Sequence, residues 1–153
     1  MKHSNERILT THTGSLPRTD ALTELLIARE QRRDFDAADM AREARVALDI
    51  VLQKQIDAGI DILNPVQISS ANMEPEHLME SFGGKIVFWG GGCDTQQILP
   101  RGTAEEIREH VRCNLEIFNA KDGGYVFTQV HNIQQNVPPE NVEAMFAAAR
   151  EFG

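Results

Sequence analysis

The sequence predicts an α/β fold, and three observations carry that prediction. Short apolar runs alternate with longer segments in which apolar residues recur at helical spacing. Glycine and proline punctuate the joints between them. The resulting order, β-α-α-β-α-β-α-β-α, indicates parallel βαβ units joined by right-handed crossovers.

Each element has its own signal. The first strand is expected at residues 8–13, followed by the turn TGSLPR. A helix over 20–33 carries Leu22, Leu25 and Leu26 on one face. A longer helix over 36–58 aligns Ala44, Ala47, Leu48, Val51 and Leu52 along one stripe, and Gly59 stops it where a positive φ is needed. The second strand is expected at 60–65, with a polar loop running to Met73. A short helix over 75–82 has Pro75 in its first turn and Gly83 beyond its end. The third strand, 86–89, runs into Gly90, Gly91 and Gly92. Thr103 and Glu106 have capping-box spacing and open a helix over 103–119 that turns Ile107, Val111, Leu115 and Phe118 inward. The fourth strand is expected at 125–130. After Pro138 and Pro139 comes a last helix that buries Val142, Met145, Phe146 and Ala149.

At 153 residues the chain reads as one domain, 1–153, with length enough for a real core. A formal charge of −8 argues against a nucleic-acid partner, because phosphate neutralisation needs a basic surface, and against an anionic membrane. No apolar stretch approaches the ~20 residues of a membrane span. The opening MKHSNER lacks the apolar region of a signal peptide. Cys93 and Cys113 are the two cysteines and are expected to stay reduced, which fits a cytoplasmic protein.

Residues 7–18, RILTTHTGSLPR, resemble the start of the catalytic barrel in cobalamin-independent methionine synthase, and the likeness continues through QIDAGIDI to about residue 62. From residue 63 onward, LNPVQ, WGGGCDTQ and VHNIQ with VPPEN resemble the closing segment of the uroporphyrinogen decarboxylase family, corrinoid-linked methyltransferases included. Both families build one kind of barrel, and the full (β/α)8 form takes about 250 residues. The resemblance therefore implies a half TIM barrel of four βα units, 7–62 giving the first and 63–153 the last three, with the equivalents of strands 2–5 absent. Two bare sheet edges would result. The expected remedy is a twofold homodimer in which the first strand of each copy pairs with the fourth of the other, closing an eight-stranded barrel. A monomeric open sheet is the competing arrangement.

In such a barrel the strand carboxyl ends and their loops form the active face. The resemblance implies that Gly14 and Ser15 hold a substrate, glycine by close backbone approach and serine through its hydroxyl. An ordinary strand-to-helix turn explains them equally well. Arg18 offers a planar fork for an anion, or else is a solvated loop residue beside Asp20. Gln67 ends the LNPVQ motif and joins the expected substrate-binding set. Asp94 follows the glycine run in the loop that lines the decarboxylase cleft, although three glycines after a strand also make a plain turn.

His131 ends the last strand, where the resemblance implies a substrate-facing histidine in decarboxylases and a zinc-binding cysteine in thiol methyltransferases. With Asp94 it forms the expected catalytic pair, since imidazole can act as acid or base near neutral pH. The histidine-x-cysteine strand that completes the family's zinc site is missing, so no cofactor is expected. A makeshift zinc site from His12, Cys93 and His131 is the arrangement that the donor types would allow. His3, His77 and His110 read as surface residues, and Cys113 as a packing residue. The base-off corrinoid motif D-x-H-x-x-G does not occur.

Two functions follow as expectations. One is a self-associating half barrel whose inherited activity was lost with the missing strands. The other is a methyltransferase or decarboxylase acting on a small anionic thiol, amino acid or tetrapyrrole at the dimeric mouth.

Overall fold

The computed structural model describes residues 5, 7–12, 16–118, 120–130 and 132–153. Two helices, α1 (Asp20–Glu30) and α2 (Ala37–Asp57), precede β1 (Ile62–Val66), α3 (Pro75–Phe82), β2 (Val87–Gly90), α4 (Ile98–Arg101), α5 (Ala104–Ile117), β3 (Tyr125–Val126) and α6 (Pro139–Phe152). The sheet is parallel, in the order β1-β2-β3. Thr11 adds one parallel bridge beside Ile62, on the other side of β1 from β2. The chain is thus α/β, with a sheet order compatible with a partial βα barrel.

The two outer strands are shorter than the sequence suggests. Among the described residues the first is reduced to the Thr11 bridge, and the fourth to Tyr125–Val126. Each lies at an edge with a neighbour on one side, so half of its backbone groups have no ladder to extend. Within β1 the register with β2 breaks between Leu63 and Val66, where a cis Asn64–Pro65 peptide sits. Proline has no N–H to offer the ladder.

The helices begin where their caps are encoded. Asp36 accepts hydrogen bonds from the N–H groups of Ala38 (2.7 Å) and Asp39 (3.4 Å), and Thr19 from that of Leu22 (3.3 Å). At α5 the box is reciprocal: Glu106 N–H donates to Thr103 Oγ1 and Thr103 N–H to Glu106 Oε2. Such caps are each worth about 1 kcal/mol.

One core cluster joins α2, α3 and the sheet through Leu52, Leu63, Leu78, Phe82, Phe88 and Phe118. A second, between α5 and α6, holds Cys93, Leu99, Ile107, Val111, Leu115 and Met145. Tyr125 packs against both and stacks on Phe118 with ring centroids 4.6 Å apart. Phe88 points to the helices, against Phe118. Its neighbour Trp89 therefore points to the opposite face, and it is 39% exposed. Because the strand order never reverses, right-handed crossovers place their helices on one face; on the other, Val87 is buried and Trp89 partly exposed.

The last helix departs from expectation. Its buried residues are Asn141, Met145 and Ala148, while Phe146 is 40% exposed and meets Phe127 edge-on. Asn141 occupies the stripe because its Nδ2 donates to the carbonyls of Leu99 (2.9 Å) and Gly102 (3.0 Å), tying α6 to both ends of α4. The four-residue α4 itself, which contains Pro100, was too short to leave a periodic signal. No helix among the described residues is long and apolar enough to cross a membrane.

Candidate functional site

The parallel pairing puts the loops after Val66, Gly90 and Val126 at one end of the sheet. In the β1 loop Gln67 is half-buried, and its amide nitrogen lies 3.3 Å from Ser69 Oγ. Its carbonyl accepts the Ser70 N–H at 3.0 Å, closing a tight turn.

The glycine run after β2 is a packing device. Gly90 has φ +115°, and a Cβ there would stand 2.8 Å from both the nitrogen and the oxygen of Val66. At Gly91 a Cβ would meet Val66, Ile68 and Phe118, and at Gly92 it would enter the Phe127 ring. The Gly92 N–H donates to Thr128 O at 2.9 Å. These glycines let β2 close against the ends of both neighbouring strands.

Asp94 closes the same loop. Its Oδ1 accepts the N–H groups of Gln96 (2.7 Å) and Gln97 (3.2 Å), and its carbonyl accepts that of Leu99. The carboxylate thus builds the turn into α4. On the preceding residue, the Cys93 thiol is fully buried within the α5–α6 core, and burial together with the Asp94 charge pushes it up to about 12. Cys93 is a packing residue whose thiolate is suppressed near neutral pH.

Two helix residues outside the expected set hold this loop. Asp94 N–H donates to His110 Nε2 at 3.1 Å, and Asn114 Nδ2 lies 3.2 Å from the same nitrogen. Asn114 Nδ2 also faces Gly91 O (3.1 Å) and Gly92 O (3.4 Å). Burial holds the His110 imidazole below the ordinary histidine range, and the Asp94 charge opposes that shift. Reading His110 as a surface residue is therefore corrected. The signal that could have marked it is the i, i+4 pair of polar residues on the flank of a strongly apolar helix stripe.

His77 needs the same correction, because its side chain is 11% exposed. Its Nδ1 faces Arg45 Nη1 at 3.1 Å, and its Nε2 lies 3.3 Å from Asp49 Oδ1. Arg45 also donates to Asn72, whose own amide donates to Ala41 O. This network fastens the β1–α3 loop to α2.

The remaining expected site residues are scattered or outside the described residues. Gly14, Ser15 and His131 lie outside them, as does His3. Arg18 is exposed and forms no ion pair among the described residues, with Asp20 or otherwise. His12 ends the Thr11 segment half-buried, with Nε2 shielded and without a hydrogen-bond partner. No hydrogen bond or ion pair joins Arg18, Gln67, Asp94 and His12 to one another. Cys113 is half-buried on α5, 3.5 Å from Glu109 Oε1. Among the described residues no group of three or more His, Cys, Asp or Glu side chains is placed to hold a metal ion.

A groove of about 320 Å³ between α3 and α5 is lined by Glu74, Glu76, Asp94, His110 and Cys113. A cavity of about 210 Å³ lies at the opposite, amino-terminal ends of β2 and β3, beside Lys85 and Gly123.

The uroporphyrinogen decarboxylase (URO-D) family model matches residues 51–152. Neither the curated proteins nor the solved structures include a match to this chain. The family match runs from the last turns of α2 through α6, taking in the three sheet strands and the loops at their carboxyl ends. That span is two thirds of the sequence, and on it the chain belongs to the uroporphyrinogen decarboxylase family.

Proposed function

We propose that the protein is a half barrel that self-associates in a twofold pair, and that it does not carry out the family's reaction alone. The observation that carries this reading is Trp89, a large aromatic 39% exposed on the sheet face opposite Phe88. Val87, itself buried, precedes it by two positions on that face, and the Thr11 bridge and β3 each pair with one neighbouring strand among the described residues. A second copy supplies cover for the face and a partner for each edge. Pairing the Thr11 segment of one copy with β3 of the other gives a closed interface and an eight-stranded barrel. In this reading residues 7–62 are a first unit of the methionine synthase type, joined in register to three closing units of the decarboxylase type.

Light scattering tests the pairing. A species near twice 17.1 kDa that persists on dilution is expected, and a stable 17.1 kDa monomer overturns the proposal.

Family membership supports a second reading, in which the paired mouth is a methyltransferase or decarboxylase site. Gly14, Ser15, Arg18 and Gln67 would then hold a small anionic thiol, amino acid or tetrapyrrole beside His131. Asp94 contributes to that reading through the shape of its loop. A ligand of the native state raises the unfolding midpoint with concentration. The absence of any shift with homocysteine, a porphyrinogen or zinc would remove this reading.

A further inference from the structure

We propose that His110 is a proton-operated clamp on the loop that follows β2. Two donors, the Asp94 N–H at 3.1 Å and the Asn114 amide at 3.2 Å, converge on its Nε2. The orientation of Asn114 is fixed, because the same Nδ2 faces the carbonyls of Gly91 and Gly92, and a flipped amide would set oxygen against oxygen. Nε2 must therefore be bare, and the ring carries its proton on Nδ1. Protonation places a hydrogen on Nε2 between two donors. The Asp94 N–H then loses its acceptor, and Asn114 is repelled from the ring.

The titratable groups that line the two grooves beside His110 are Asp94 from the loop, Glu105, Glu106, Glu109 and Cys113 from α5, and Glu74 and Glu76 from the start of α3. Glu106 is engaged by Thr103, and Glu109 by Arg112. Burial opposes the charged ring while Asp94 favours it. The clamp is therefore closed above the ordinary histidine range and opens on acidification below it. Residues 90–94 lie at the carboxyl end of β2, so their release reshapes that end of the sheet without unfolding it. The inference does not depend on whether the chain pairs.

Amide hydrogen exchange followed by NMR tests it. Corrected for intrinsic rates, protection of the Asp94 amide is expected to fall roughly tenfold or more between about pH 8 and pH 5, while the Phe88 amide stays protected. In His110→Gln the side-chain oxygen accepts at every pH, so the Asp94 amide should lose this dependence. Equal pH dependence in the variant, or none in the wild type, overturns the proposal. Should the variant not fold, the wild type still decides. The Asp94 amide shift must titrate with the midpoint of the His110 ring protons, and two separate midpoints refute the clamp.

Discussion

The Arg7 guanidinium donates to the carboxylate of Asp61, 54 positions further along the chain, with Nη1 2.7 Å from Oδ2 and Nη2 meeting Oδ1. Asp61 is wholly buried, and the Thr10 N–H also donates to it at 3.0 Å. Its own N–H returns a bond to Thr10 O at 2.9 Å. These bonds lie at the amino-terminal end of β1, away from the strand-end loops, and they hold the opening segment in the sheet where ladder pairing is a single bridge. Asp61→Asn keeps the shape but removes the charge that strengthens both arginine bonds. A loss of roughly 2–3 kcal/mol in urea unfolding is expected. A loss below about 0.5 kcal/mol would mean that the segment is held by something else.

The glycines separate two physical costs. Gly90 and Gly59 both have positive φ, +115° and +80°. A Cβ at Gly59 meets nothing within 4 Å, whereas one at Gly90 collides with the Val66 backbone. Gly59→Ala should therefore cost about 1–2 kcal/mol, the price of the left-handed conformation alone. Gly90→Ala must also push β1 from β2 and should cost roughly 3 kcal/mol or more. Paired unfolding curves read the difference, and equal losses would contradict the close approach.

How much of this was legible in the sequence depends on the range of the interaction that sets each feature. Helix starts are local, and Thr103 with Glu106, and Pro75, placed α5 and α3 within a residue. Strand length is set by neighbours, so residues 8–13 and 125–130 looked longer as sequence than as pairing. His110, Asn114 and Asn141 sit in or beside apolar stripes at helix positions where polar residues usually face solvent. Each instead serves a loop, binding the carbonyls or N–H groups of residues 91–94 or of Leu99 and Gly102. The loop that needs a partner cannot be recognised until the chain is folded. Within the candidate site, Gln67 and Asp94 were found at strand-end turns, but Asp94 spends its Oδ1 on building its own loop.

The two thiols should differ sharply in reactivity. Cys93 is buried and its thiol is pushed up to about 12, whereas Cys113 is partly accessible on α5. Desolvation and the Glu109 carboxylate also raise the Cys113 thiol, which slows it without shielding it. Brief treatment of the native protein with a maleimide near neutral pH should modify Cys113 alone, and Cys93 should react on unfolding. Peptide mass spectrometry reads the sites. Native labelling of Cys93 at a comparable rate would show that the α5–α6 core opens readily.

Trp89 is the sole tryptophan, so its fluorescence reports directly on the sheet face opposite Phe88. In a lone subunit the indole is 39% exposed and should emit toward the red. Pairing of two copies would seal it inside the barrel. The emission should therefore move to the blue as protein concentration rises, along the same curve as the mass measured by light scattering. Trp89→Lys leaves the helix-side core untouched but sets two ammonium groups inside one apolar interior. It should weaken association by at least about 2 kcal/mol, enough to leave monomer across the accessible concentrations. Emission that ignores concentration while the mass doubles would place the interface elsewhere and leave this face open.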